Sequence, residues 1–572
     1  MSRRTKMGKP RRLFVVAVLA LVAGIVVLSN LDLGGMLPRS VMSFDDAAAK
    51  LDKSLRDVTW REEIARASGA LAVESSSLED SLPPIAKYPL VVSPSAGAAT
   101  VEIFVSTEKS GSGTDGWMVE AANAFNNAGQ RTSGGQIAQV QIRKIASGTG
   151  YQFIASGKYR PDGYSPSNHL WVRMADARGA RMTPVAEKTV GNIAGIVMKE
   201  DVAEELKAQA GTLTVPAIID AAVQGRLAVG YTNPYASSTG LNFLVTVLMT
   251  FAKGDESGML SGDVVSAFEA FQKSVPFLAM TTLQMRDSVR QDGSLDAFVM
   301  EYQTYIKTSE LQSGYVFIPF GIRHDNPLYA VGNPGPAKME ALKLFAGFLE
   351  SRQFRDRAAE YGFDPKLDYD PPFAPPAGRT LVEAQKTWKE KKDAGRRVAA
   401  VFLADVSGSM DGNRLRQLKK ALIEGSNFIA AGNSIGLVTF SDHVTVILPV
   451  RPFQLMHKST FHTAVRELRA GGKTAMYDGV AVALSMLVKA KREEPSIKPV
   501  LFVLTDGETN RGLGYSDMDA IVEGLQIPVY TIGFEANIDE LKRLSSLVEA
   551  ASLNASEDDV GYTIGALLNV QM

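Results

Sequence analysis

The stretch Val398-Ala-Ala-Val-Phe-Leu-Ala-Asp405-Val-Ser407-Gly-Ser409-Met410 decides how this chain is read. An unbroken apolar run ends abruptly in an aspartate and two serines. Strands covered on both faces lose the polar alternation of a half-exposed strand, so the run reads as a buried parallel strand. Asp405, Ser407 and Ser409 then fall in the loop at its C-terminal end, where open α/β sheets hold their ligands. Beyond the loop, Leu415, Leu418, Leu422 and Phe428 recur at roughly helical spacing, which predicts a helix from Asn413 to about Ala430. Small oxygen-bearing side chains without cysteine or histidine suit a hard cation such as Mg2+ rather than zinc or copper.

Two later segments complete the pattern. Gly471-Gly472-Lys473-Thr474-Ala475 precedes a predicted helix from Met476 to Lys491 and offers the Thr474 hydroxyl. Pro499-Val-Leu-Phe-Val-Leu-Thr-Asp506-Gly507 is a second apolar strand ending in a carboxylate, which places Asp405 and Asp506 at the same edge of one sheet. Helix capping alone would explain Asp-x-Ser-x-Ser; the three segments together argue for a site. From Arg397 to Leu568 the chain resembles the von Willebrand factor A domain, and these positions match its metal-ion-dependent adhesion site. The resemblance implies that Asp405, Ser407, Ser409, Thr474 and Asp506 hold Mg2+ or Mn2+, some directly and some through water. It leaves one coordination position for an Asp or Glu carboxylate from a protein partner.

Working outward, 572 residues exceed one domain; at ~150 residues per unit, about three or four are expected. A hydrophobic content of 45% with 22% charged residues is that of a globular protein, and a formal net charge of −1 gives no reason to expect nucleic acid. The lack of cysteine excludes disulfides, iron–sulfur clusters and a thiol nucleophile.

At the N-terminus Arg3, Arg4, Lys6, Lys9, Arg11 and Arg12 precede an uncharged run, Leu13 to Leu28, that Ser29, Asn30 and Leu31 can extend. Basic residues wholly before an apolar run keep that end cytoplasmic. Residues 1–12 therefore read as a cytoplasmic basic tail and 13–31 as a transmembrane anchor, with cleavage after Val-Leu-Ser29 as the alternative. Either way the bulk of the chain is expected outside the cytoplasm, at the cell membrane or secreted. Residues 42–97 read as a stalk or linker, with an amphipathic helix carrying Leu51, Leu55, Val58 and Ile64.

From about residue 98 strands and helices alternate, beginning with Thr100-Val-Glu-Ile-Phe-Val-Ser106, which indicates a mostly parallel sheet. Hydroxyl-rich loops read as opening helices carry Ser106, Thr107, Ser165, Ser167, Thr232, Ser238 and Thr239. Helix N-termini present unpaired N–H groups to anions and polar solutes. Pro161-Asp162…Ser165-Pro166-Ser167…Trp171, Thr232-Asn233-Pro234…Ser238-Thr239-Gly240-Leu241 and Phe345…Tyr361-Gly362-Phe363-Asp364-Pro365 together resemble bacterial extracellular solute-binding proteins of the type 2 periplasmic-binding fold, over Thr100 to Pro365. That implies two α/β lobes around a cleft, where the seven hydroxyl residues are placed as candidate ligand positions for a small solute, with Lys109 in the first loop and Arg160 bordering the second.

The solute-binding-like domain is assigned to 98–368. Pro371, Pro372, Pro375 and Pro376 then open a stiff linker and charged helix, 369–396, that carries Trp388 and leads into the domain at 397–568. There Ser434–Ser441 and Val444–Pro449 are expected as a hairpin, Ile527–Phe534 as a strand, and 539–551 and 558–568 as closing helices, with His443, His457 and His462 on the surface. The expected fold class is α/β throughout: an anchor, a two-lobed periplasmic-binding-like domain, and a Rossmann-like von Willebrand A domain. This order matches bacterial proteins that join substrate-binding and von Willebrand A domains. No motif supplies a base for Ser407 or Ser409, so the chain is not expected to be an enzyme. A membrane-anchored binding protein with metal-dependent capture of a partner is the leading reading. A solute-uptake component whose last domain docks onto a transporter is the alternative.

Overall fold

A computed structural model describes residues 42–65, 82, 84–93, 99–275, 278–279, 285–286, 295–363, 369–393, 395–429, 432–507, 509–534, 541, 543–545 and 552–554. Within them lie three sheets. The central strand, Val398–Asp405, is buried along its whole length. Its side chains alternate between two apolar cores, Val398, Ala400, Phe402 and Ala404 into one and Ala399, Val401 and Leu403 into the other. It runs parallel to Ser434–Phe440 on one side and to Lys498–Thr505 on the other, and Val529–Gly533 continues the parallel order. Ser434–Phe440 turns back into Val444–Pro452 as the expected antiparallel hairpin. Asp405 and Thr505 therefore end neighbouring strands at one sheet edge, with Asp506 the next residue.

Residues read as a stalk belong to folded units instead. Helix Phe44–Ser54 buries Ala47, Ala48 and Leu51 against the helices Met476–Glu493 and Tyr515–Leu525 of the last domain. The approach is close: a Cβ at Gly524 would sit 2.8 Å from Ala47 Cβ. Trp60–Glu62 then adds a parallel edge strand beside Val444–Val446. Leu90–Val92 pairs with Ala138–Lys144 in another sheet. The two-lobed unit is thus inserted between an N-terminal piece of the last domain and its remainder. The apolar stripe on the first helix signals a partner, but the partner lies more than 400 residues away for Leu51 and Met518.

Each lobe of the inserted unit has its own sheet. One contains Leu90–Val92, Ala138–Lys144, Ala99–Val105, Gly163–Ser165, Leu328–Val331 and Met182–Ala186 in that spatial order. The other contains Tyr315–His324, Asn192–Lys199, Ala297–Glu301, Val229–Thr232 and Leu278–Ala279. Asn192–Lys199 is antiparallel to both of its neighbours, so the sheets are mixed rather than mostly parallel. Strands that cross between lobes enter from the opposite end, and that reversal leaves no mark on local apolar patterning. Crossovers at 187–191 and 325–327 join the lobes.

The predicted linker helix, Gly378–Lys391, packs on Leu170–Ala177 of the first lobe and on Ser238–Phe251 and Gly262–Gln272 of the second. Trp388, fully buried, donates its indole N–H to the Tyr231 hydroxyl at 2.6 Å. The helix clasps both lobes. Just past it, Asp393 accepts from Lys392 and from Lys498, whose strand lies in the last domain, so an ion cluster marks the junction. Burial pushes the Lys392 ammonium down to about 8 against the pull of Asp393.

Of the three histidines expected on the surface, His443, His457 and His462, none is fully exposed. His462 is buried with Nε2 2.8 Å from Ser426 Oγ, and half-buried His457 lies 2.8 Å from the Ile435 carbonyl. Their helix, Leu455–Glu467, packs its flank on the sheet, which isolated histidine spacing did not reveal. Among the described residues no helix is long and apolar enough to cross a membrane. The anchor at 13–31 and the closing helix at 558–568 lie outside those residues.

Candidate functional site

Three loops meet at the edge where Asp405 and Asp506 stand. The turn after Asp405 folds back so that the Ser407 amide donates to Asp405 Oδ1 at 2.8 Å, while Thr505 Oγ1 donates to Asp405 Oδ2 at 2.5 Å. Ser407 Oγ lies 3.0 Å from Ser409 Oγ, which donates to Asp506 Oδ1 at 2.9 Å. Asp405, Ser407, Ser409 and Asp506 thus form one hydrogen-bonded chain. Asp405 and Ser407 are buried at its base and Ser409 is exposed at its mouth.

The glycine loop is docked on this turn by two backbone bonds, Gly471 N–H to the Val406 carbonyl at 2.8 Å and Gly408 N–H to the Gly472 carbonyl at 3.0 Å. Gly472 has φ +88, and a Cβ there would come within 2.3 Å of an Asp442 carboxylate oxygen. Only glycine meets both demands without strain. Thr474, buried two residues on, is held through its backbone: its N–H donates to Asn510 Oδ1 and its carbonyl accepts from Asn510 N–H, each at 2.9 Å. Asn510 follows Asp506 in the same loop, so the third segment is tied to the second. Sequence reasoning missed Asn510, Thr505 and Arg414. Arg414 donates from Nη1 to Asp506 Oδ2 at 2.7 Å and to the Ser409 carbonyl at 3.1 Å.

Among the described residues no three His, Cys, Asp or Glu side chains gather as a metal site. This cluster holds two carboxylates and otherwise hydroxyls. Such a donor set fits a hard, strongly hydrated cation that keeps several waters and needs few protein ligands. Burial raises the Asp405 carboxyl above the usual range, Asp506 adding to the rise, and the Thr505 and Ser407 hydrogen bonds oppose it. A cation would offset the cost of two carboxylates in so dry a place. The four bonded residues fit the group and would be the ones to hold it, with Thr474 on the loop docked beside them.

The cleft candidates fall differently. Lys109, fully buried, donates to Ser165 Oγ and Asn326 Oδ1 at 3.0 Å and to the Pro166 carbonyl at 3.2 Å. Ser167 Oγ donates to Glu108, and Thr107 Oγ1 lies 3.5 Å from the same carboxylate. Thr239 Oγ1 donates to Glu301 Oε1 at 3.2 Å, and His324 Nδ1 lies 3.0 Å from that oxygen. Ser106 is buried beside them, its amide donating to the Ser165 carbonyl. Thr232 and Ser238 turn elsewhere: Thr232 Oγ1 donates to Ser237 Oγ at 2.9 Å, and Ser238 Oγ accepts from the Trp171 indole at 2.9 Å. Their loop's first duty is to start a helix. Burial lowers the Lys109 ammonium to about 7, while Glu108 and Glu301 pull it up; burial, with Glu301, raises Glu108. The interlobe residues missed by sequence reading were Glu108, Glu301, His324 and Asn326. Glu301 had a signal, as a carboxylate ending the apolar strand Ala297–Glu301.

Fold and site define an α/β binding protein of two domains, one bilobed and one with an oxygen-donor cluster at the sheet edge. Comparison with known proteins agrees. Residues 109–364 match the family model for bacterial extracellular solute-binding proteins, and residues 400–562 match that for the von Willebrand factor type A domain. The chain carries both domains, in that order. Inter-alpha-trypsin inhibitor heavy chain H3 of Bos taurus is 31% identical over 155 residues, 25% of this chain and 17% of that protein. The heavy chain H1 of Mesocricetus auratus is 29% identical over 152 residues, 24% of this chain and 16% of that protein. The chain thus spans about a sixth of the length of these relatives. Among solved structures, a von Willebrand factor type A protein from Catenulispora acidiphila is 18% identical, covering 30% of this chain and 42% of that one at a TM-score of 0.27. The sulfate-binding protein SubI from Mycobacterium tuberculosis H37Rv is 14% identical, covering 50% and 96% at a TM-score of 0.34. The matched families are non-enzymatic binding proteins, and the von Willebrand A domain mediates protein interactions in homologues.

Proposed function

We propose that this chain is a membrane-anchored, extracytoplasmic binding protein that captures a protein partner through a divalent cation, Mg2+ or Mn2+, at Asp405, Ser407, Ser409, Thr474 and Asp506. The observation that carries the reading is the single hydrogen-bonded chain that runs from buried Asp405 through exposed Ser409 to buried Asp506. A cation seated there would be reached by an Asp or Glu of the partner from the Ser409 side. The rim suits an acidic partner: Lys473 is exposed, Arg414 is one-third exposed, and Arg511 is half exposed beside Asp442. The basic tail and apolar run before Ser29 support the anchor and the outward orientation.

For the two-lobed unit we infer a scaffolding role in the form described. Five of the seven candidate hydroxyl residues lie around Glu108, Lys109 and Glu301, whose polar atoms are taken up by partners of their own lobe and, for Lys109, by Asn326 of the crossover. Solute uptake, the second reading, would require that network to open. Affinity capture from a membrane extract tests the main reading. A partner retained in Mg2+ and released by EDTA, and absent with Asp405→Ala, is expected. Retention that survives EDTA would refute it.

A further inference from the structure

Arg414 lies in the first turn of the helix Asn413–Gly425, directly after the Asp-x-Ser-x-Ser turn. Its guanidinium reaches back to Asp506 Oδ2 and the Ser409 carbonyl, both parts of the candidate metal site. The Asp506 side chain is 1% exposed and that of Arg414 32%. A buried carboxylate without a cation is costly, and here the chain's own cation supplies the charge. Asp405 is served differently, by the Thr505 hydroxyl and the Ser407 amide.

Resting on the metal reading above, we propose that Arg414 is a built-in counter-cation that competes with the metal for Asp506 and so sets the cation concentration at which the site fills. Two cations cannot share one carboxylate at this range without repelling each other, so occupancy by one weakens the other, and the coupling is reciprocal. Arg414 is exposed enough to leave: its guanidinium stands at the solvent edge. Once released from Asp506, it adds positive charge at the mouth, where a partner's carboxylate would arrive. Arg414 is therefore a positioning and threshold residue, not a metal ligand. A purely structural Arg414–Asp506 pair would pin the helix to the strand end and leave metal affinity unchanged or weaker when removed.

Calorimetric Mn2+ titration of the full chain, with melting in EDTA and in saturating Mn2+, separates the two. Arg414→Gln keeps a donor and removes the charge. We expect it to bind Mn2+ roughly tenfold tighter, the low end for removing one charge beside a carboxylate at a partly exposed site. It should melt below the wild-type protein in EDTA, and the gap should close in Mn2+. Arg414→Lys, which retains the charge, should bind near the wild-type value. Equal or weaker Mn2+ binding by Arg414→Gln, with the same melting deficit in both conditions, would overturn the proposal. If neither the wild-type protein nor Arg414→Gln takes up Mn2+, the metal reading itself falls and this proposal with it. The two failures are distinguished by whether the wild-type protein binds.

Discussion

Truncating Leu51 tests whether residues 42–65 are part of the von Willebrand A domain. Leu51 is fully buried, on a helix that shares a core with Met518, Ile521 and Val522. Leu51→Ala removes side-chain atoms from that core and leaves a cavity that the close approach at Gly524 keeps from collapsing. Leucine-to-alanine changes at such sites cost roughly 2–5 kcal/mol. For a domain of this size that is a fall of roughly 4–20 °C in its transition. Scanning calorimetry of the intact chain is the assay, with each domain's transition followed separately because a two-domain chain is not two-state. The von Willebrand A transition should drop and the other stay in place. Asp52→Ala, on the exposed face of the same helix, should move neither by more than about 0.5 kcal/mol. If Leu51→Ala behaves like Asp52→Ala, the helix is a tether and the insertion described here is wrong.

Other outcomes follow from single contacts. Trp388→Phe removes the indole donor to Tyr231 and should lower the two-lobed unit's transition by about 1–2 kcal/mol, the cost of a lost buried hydrogen bond. An unchanged transition would mean that the helix does not clasp the lobes. Gly472→Ala forces an L side chain into φ +88 and against Asp442; loop strain of about 1–3 kcal/mol should weaken Mn2+ binding without unfolding the domain. Burial lowers His462 from the ordinary 6.5 to about 4, with Lys458 and Arg466 adding to the shift. Its folded value is depressed, so the unfolded chain binds the extra proton first: the stability is complete above pH 6.5 and lost as pH falls towards 4. Melting curves across that window should flatten in His462→Gln, and an identical pH dependence would contradict the assignment.

The oxygen-donor cluster was legible because its logic is local: two apolar strands each end in small oxygen donors, a glycine loop offers a third segment, and parallel strands bring their C-terminal ends to one edge. Arg414 was harder to see, since an arginine opening a helix reads as surface charge until its reach to Asp506 is known. Of the cleft hydroxyls, Thr232 and Ser238 lie elsewhere, and Ser106, Thr107, Ser165, Ser167 and Thr239 lie around the same buried charged groups. Their partners, Glu108, Glu301, His324 and Asn326, come from both lobes and from a crossover, and no sequence spacing encodes that meeting. Nor could the pairing of Trp60–Glu62 with Val444–Val446 be read, for a short edge strand has no periodicity to betray its neighbour. Trp388 carried a hint, as a large apolar residue on a charged helix, that the linker was a packed element.

Direct cation binding tests the central claim. Mn2+ titrated into the purified chain by calorimetry should bind at one site per molecule, with Mg2+ in competition, and Asp405→Ala should abolish the heat while melting as a folded protein in EDTA. A chain that takes up no cation, or one whose uptake is unchanged by Asp405→Ala, would contradict the account.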